Sequence, residues 1–237
     1  SWVNAGLLTM GNGGLNAGNE MRLSDGASFS TVGAEVFAST FWPRFTSYAI
    51  TIEGAGTSWS NQGPLSMFGL LYYSVRDGAQ AEDAEVDIDA LFYGPGRFIV
   101  DGPGSLWKTG PLDMTLHSED PSSGLFVTNG GRLESESAFL LSRSSQLVRS
   151  DGAGSTWSVA ERLALSGAGA GGSNTLELST GALVETGGAS VFTAGGSGCV
   201  LLSGPGSRWE NAGSVELGGI DRGLLQIDAS AHVRTGD

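Results

Sequence analysis

The chain has 237 residues, 39 of them glycine, and sets 25 acidic against 12 basic side chains for a net charge of −13. Glycine, at roughly twice its average share of about 7 %, does not recur at every third position, which excludes collagen. An apolar content of 40 % excludes a disordered acidic chain, and a chain whose one lysine is Lys108 lacks the cations of a nucleic-acid binder.

In chain order, the sequence opens on Ser1-Trp2 and the alternating Leu8-Thr9-Met10, which predicts a strand with one buried face. Met21-Arg22-Leu23 predicts a second strand. Asp25-Gly26 follows as a tight turn, because glycine supplies positive φ and Asp tolerates the left-handed region. Phe29 resumes the next strand. Extra length then falls around Phe41, Trp42, Arg44 and Phe45, where insertions in repeat proteins often carry function. Aromatics beside an arginine suit sugar stacking or a protein partner, so these four are a partner-binding candidate. The alternative is that they pack down on the body of the fold.

Ile50-Thr51-Ile52 leads into Gly54-Ala55-Gly56-Thr57-Ser58-Trp59, and this signature returns three times. The later copies are Gly102-Pro103-Gly104-Ser105-Leu106-Trp107, Gly152-Ala153-Gly154-Ser155-Thr156-Trp157 and Gly204-Pro205-Gly206-Ser207-Arg208-Trp209. With Trp2 as the tail of a fifth copy, the tryptophans are 57, 48, 50 and 52 residues apart. A paired apolar alternation follows each, as in Leu65-Ser66-Met67, Leu112-Asp113-Met114, Leu163-Ala164-Leu165 and Val215-Glu216-Leu217. Midway through each unit a strand and turn recur, as Val75-Arg76-Asp77-Gly78, Val127-Thr128-Asn129-Gly130, Leu178-Ser179-Thr180-Gly181 and Ile227-Asp228-Ala229-Ser230. The last copy lacks glycine and is expected to turn differently. The units run 2–58, 59–106, 107–156, 157–208 and a truncated 209–237, within one solenoid that is expected to be a piece of a longer exported protein.

The two motifs alternate: Leu23 to Ile52 is 29 residues, Ile52 to Val75 is 23, and Val75 to Val100 is 25. The structural period is therefore about half the tryptophan period, in the range of solenoid repeats. No ten-residue stretch carries an uninterrupted helical apolar period. These features predict an all-β fold, a parallel β-helix of about nine or ten coils with two coils per unit of about 50 residues, roughly 45 Å long at 4.8 Å per coil. The repeated Trp is expected to stack on its equivalents along one edge or to fill the interior beside a corner.

The pattern of alternating apolar residues, Gly-x-Gly-Ser-x-Trp, then Asn-x-Gly-x-Leu and a strand closing on Asn-Gly-Gly, resembles the repeat of bacterial autotransporter passengers and the similar repeat of PEP-CTERM-associated surface proteins. The likeness runs through essentially the whole chain. It implies a stalk or adhesin at the bacterial cell surface or outside the cell, with no catalysis. It also implies a parent protein anchored in the outer membrane through a part outside this sequence. The implied partners are a cell-surface or matrix polysaccharide or protein, or copies of the chain joined end to end as a fibre. No nucleic acid is expected.

Glu82-Asp83-Ala84-Glu85-Val86-Asp87-Ile88-Asp89-Ala90 is the densest charge cluster. Alternation is expected to turn Ala84, Val86, Ile88 and Ala90 inward and Glu85, Asp87 and Asp89 outward. Carboxylates at this spacing could ligate Ca²⁺ or serve a β-helix polysaccharide lyase or hydrolase. The plainer reading is a solvated strand face. The comparable stretches hold Ser28, Arg132 and Glu134, so no acidic ladder is expected across coils. No cofactor is expected, with Ca²⁺ the one candidate. His117 and His232 fall in different units and suggest no catalytic pairing. The run 167–173 reads as a loop, not a phosphate cradle. Cys199 reads as a small apolar residue in a buried strand. No apolar run approaches bilayer-spanning length, and Ser1-Trp2-Val3-Asn4 shows no signal-peptide pattern.

Overall fold

The computed structural model describes residues 1–11, 19–37, 47–90, 96–116, 120, 122–142, 145–167, 173–188, 190–193, 197–218 and 223–236. Every regular element among them is a strand. One coil runs Arg97–Asp101, Leu106–Thr109, Leu112–Leu116, and the next repeats it as Gly124–Thr128, Arg132–Ser135, Ala138–Ser142. Each strand pairs in parallel with its counterpart one coil away, Val100 with Val127, Trp107 with Leu133 and Met114 with Leu140. The fold is a parallel β-solenoid. Its coil length is the one the sequence predicts, because Leu23 pairs with Ile52, Ile52 with Val75 and Val75 with Val100.

The strands form two sheets. The first strand of every coil belongs to a sheet of nine, ending on Asn19–Leu23 and Gly223–Ile227. Seven of those nine are paired on both sides, so about seven turns are enclosed, fewer than the nine or ten expected. The sequence count included the terminal part-coils, which have a neighbour on one side only. The second and third strands of each coil join a bent sheet of 17. In two coils the bend is crossed by one continuous strand, Ser58–Phe68 and Gln80–Ala90.

Between the two sheets lies the glycine corner. The mid-unit turns place two successive residues at positive φ: Asp77 at 54° and Gly78 at 82°, Asn129 at 53° and Gly130 at 86°. Ala229 at 52° and Ser230 at 64° adopt the same turn, which corrects the expectation that the glycine-free copy turns differently. Stacking on the corner below imposes the conformation even where no residue favours it. The Gly-x-Gly corners are one residue longer between paired positions: four residues separate Glu53 from Ser58, against three between Arg76 and Gln80.

That extra residue is the Ser or Thr of the signature, and it is buried as Thr57, Ser105, Ser155 and Ser207. Its hydroxyl oxygen accepts the amide hydrogen of the neighbouring turn's glycine at 3.0 Å in all four cases: Gly26 to Thr57, Gly78 to Ser105, Gly130 to Ser155 and Gly181 to Ser207. The serines also donate to the carbonyl four residues back, Ser105 to Asp101 and Ser155 to Asp151 at 2.6 Å and Ser207 to Ser203 at 2.7 Å. Gly-x-Gly-Ser therefore clamps two corners together, satisfying backbone groups that burial would otherwise orphan.

Inside, one ladder carries Phe29, Trp59, Ala81, Trp107, Leu133, Trp157, Val184 and Trp209 in successive coils. The tryptophans fill the interior beside the corner; beyond Trp59 they alternate with smaller residues. Trp59 stacks on Phe29 with ring centroids 4.9 Å apart, and Phe29 on Trp2 at 4.8 Å. Beyond Trp59 the small Ala81 leaves room for Tyr73, which reaches across from the other sheet to within 4.7 Å of the Trp107 ring. Alternating large with small residues fills a column that cannot take an indole in every coil.

Candidate functional site

Two residues beyond that ladder, on the same inward side, runs a second one, and it is polar: Thr31, Asn61, Asp83, Thr109 and Ser135 in five successive coils, all buried. Asp83 is 1 % exposed. Trp59 Nε1 donates to its Oδ1 at 2.8 Å, while Trp107 Nε1 and Tyr73 OH donate to its Oδ2 at 2.9 and 3.1 Å. One carboxyl group thus ties together three consecutive coils and both sheets. Burial raises the Asp83 carboxyl above its usual range; hydrogen bonding by Trp59, Trp107, Asn61 and Tyr73 opposes that rise. The Tyr73 hydroxyl is itself pushed well up, first by burial and then by the adjacent Asp83.

Asp83 falls within the acidic cluster, beside Ala84, the residue whose side sequence alternation misplaced. The strand bends between Asp83 and Val86, and two residues, Ala84 and Glu85, span the bend. Alternation restarts there, so Asp83 points in and Ala84 points out, the reverse of the expectation for Ala84. The other half of the expectation matches the structure: Val86, Ile88 and Ala90 are buried and Glu85 and Asp87 exposed, with Asp89 half-buried.

Along the outside of the bend runs a groove of about 700 Å³, walled by Ser60, Gln62, Glu82, Lys108, Glu134 and Glu136 and floored partly by Asp83 and Asn61. Ala84 and Gly110, with little or no side chain, keep the rest of the floor low. At Gly110 a Cβ would lie 2.0 Å from the Ala84 carbonyl oxygen, so only glycine fits. Lys108 reaches Glu82 at 3.3 Å across one coil step. This volume is that of a small-ligand pocket.

Glu85, Asp87 and Asp89 follow one another along a single strand, and among the described residues no group of three or more His, Cys, Asp or Glu is placed to hold a metal. The structure does add a neighbour that the sequence comparison overlooked. Asp113 pairs with Asp87 across the coil step, so two carboxylates share a rung-to-rung contact where no acidic ladder was expected. The Asp113 carboxyl is raised, first by partial burial and then by Asp87 and Glu85. Ser28, Arg132 and Glu134 stand on the ladders of Gln80 and Glu82, before the bend, whereas Asp87 and Asp113 lie beyond it.

Phe41, Trp42, Arg44 and Phe45 lie outside the described residues, as do His117 and most of the run 167–173. His232 is exposed, one residue before the half-buried Val233. Cys199 corrects the expectation of a buried position: Gly198 and Val200 face in, and Cys199 faces out between Thr175 and Leu224, half-buried. That partial burial raises its thiol, the opposite of an activated nucleophile.

Sequence reasoning missed the Asp83 cluster because an isolated Asp in an acidic run reads as a solvated residue. The available signal was Asp83 standing two residues after Ala81, where Asn61 and Thr109 follow Trp59 and Trp107. Compared with family models, with curated proteins and with solved structures, the chain matches none of them.

Proposed function

We propose that this chain forms the rod of an exported bacterial surface or extracellular protein, like the autotransporter and PEP-CTERM-associated repeats it resembles, and acts as a stalk or adhesin without catalysis. The observation that carries this reading is the ladder register, continuous through the described coils from Leu23 to Ile227. Such a register extends one polar groove over successive coils, from Ser60 to Ala160, and an elongated groove suits an extended partner better than a single reaction centre. The expected partner is a cell-surface or matrix polysaccharide or protein. The test is an array of glycans and matrix proteins probed with the purified chain. Saturable binding that Lys108→Glu and Glu136→Lys weaken, with the bound polymer unchanged in length, is the expected result. Shortening of the polymer contradicts it.

One observation favours a second reading, a polysaccharide lyase or hydrolase. Asp87 and Asp113 adjoin, and partial burial followed by the charges of Asp87 and Glu85 raises the Asp113 carboxyl, the direction a general acid requires. On this reading acidic polysaccharide is depolymerised, with Ca²⁺ as cofactor, and Asp87→Ala abolishes the activity.

A further inference from the structure

The outer face of the nine-stranded sheet takes no part in the groove at the bend. Six of its rungs turn an apolar side chain outward: Tyr72, Ile99, Phe126, Leu147, Leu201 and Leu224. Tyr72 is 36 % exposed and Leu224 51 %, and the four between them are half-buried. From Tyr72 to Leu224 only the rung of Thr175 and Glu177 interrupts the run. Scattered exposed apolar residues are ordinary, whereas a contiguous row across one sheet marks an interaction surface.

Charge sets the same face apart. The chain carries −13, yet the outward residues described on these nine strands include four arginines against five acids, close to balance. Most of these charges are neutralised in place. Arg22 pairs with Glu53, Arg149 pairs with Glu177 at 2.8 Å, and Arg97 lies 5.5 Å from the centroid of the Phe126 ring. Arg76 stands on the ladder between Glu53 and Asp101. The excess of acid lies elsewhere. Glu82, Glu134, Glu185 and Glu210 share one outward ladder at the bend, the corner that does not adjoin this sheet.

Size and charge together select the occupant. Nine rungs at about 4.8 Å, each about five residues of 3.3 Å across, make a face of about 700 Å². A standard protein interface buries about 800 Å² on each partner. An ionic partner, whether polymer or lipid headgroup, finds no net charge to hold it here. A second copy meets a surface as apolar and as balanced as its own, and it keeps its glutamate ladder turned away. We propose that the nine-stranded face is the interface of a side-by-side homodimer, two rods packed sheet to sheet by the same patch on each. Phe126 lies on the middle strand of the nine and is the central anchor of that patch. The pairing is lateral, unlike the end-to-end joining of copies into a fibre.

The test is sedimentation equilibrium of the full chain. A dimer is expected, and Phe126→Lys is expected to weaken it about thirtyfold or more, as loss of a central aromatic anchor does. Phe139→Lys, at an exposed aromatic on the bent sheet, is expected to leave the dimer unchanged. Should Phe126→Lys fail to fold, a soluble paramagnetic agent reads the same face in the unaltered protein. Ile99 and Leu147 methyl signals are expected to be shielded in concentrated solution and to broaden on dilution, while Phe139 signals broaden at both concentrations. A chain that stays monomeric at every concentration overturns the inference, even if polysaccharide or phospholipid vesicles shield those methyls. So does a dimer indifferent to Phe126→Lys, which assigns the contact to the rod ends instead.

Discussion

The indole N–H of Trp59 donates to Asp83 Oδ1 at 2.8 Å across one coil step, while Trp107 reaches Oδ2 of the same carboxyl from the opposite side. Two of the tryptophans that mark the sequence are thus joined through a residue the motif does not include. Asp83→Ala leaves both indole N–H groups and the Tyr73 hydroxyl buried without an acceptor. Each orphan costs about 1–3 kcal/mol, and the three are coupled, so a total loss of about 3 kcal/mol or more is expected. Tyr73→Phe removes one donor and is expected to cost about 1 kcal/mol. Amide exchange in the strands holding these residues, which reads local opening in a repeat protein, checks both.

The serine of the signature acts on its neighbour coil as much as on its own. Ser105→Ala takes the acceptor from the Gly78 amide and a donor from the Asp101 carbonyl, with an expected loss of about 1–2 kcal/mol. Ser105→Thr is expected to be tolerated, since Thr57 holds the same place two coils earlier in the corner stack. Exchange of the Gly78 amide should quicken in the first variant and not in the second.

Ala229 and Ser230 hold the left-handed region without glycine or Asx chemistry. Ser230→Gly is expected to stabilise the last described coil by about 1 kcal/mol, because left-handed backbone costs a residue with a Cβ about that much. The mirror experiment is Gly104→Ala at φ 80°, expected to destabilise by about 1–2 kcal/mol. Denaturant midpoints for the pair, moving in opposite directions, check the corner geometry.

Asp113 has a raised carboxyl, so its ionisation above the ordinary carboxylate range works against the fold. Stability from its protonated form is complete below the unfolded value and fades as pH rises through the folded one. Asp113→Asn is expected to flatten that fall and to raise the denaturant midpoint slightly at neutral pH. Added salt should shrink the difference, because the site is exposed. An unchanged pH profile contradicts the pairing with Asp87.

Much of the architecture was legible because it rests on local chemistry. The interval from Ile52 to Val75 and on to Val100 set the coil, and Gly-x-Gly and Asp-Gly marked corners where left-handed backbone is required. What could not be read depends on neighbours in space. The Ala229-Ser230 turn follows the corner it stacks on, not its own propensity. Asp83 faces inward because the strand bends just after it, and a bend between two strands is invisible to period-two counting. The Asp87–Asp113 contact required the register beyond that bend. The groove was hidden for the same reason, since its floor of Ala84 and Gly110 reads as loop.

Two coils make up each tryptophan unit, so that Trp59 and Trp107 are separated by a coil carrying Ala81. Side-chain and backbone NOEs of Ala81 test this most directly. Contacts from Ala81 to both Trp59 and Trp107, with Val75 adjoining both Ile52 and Val100, are the expected result. Direct stacking of Trp59 on Trp107, or antiparallel pairing between these strands, contradicts it.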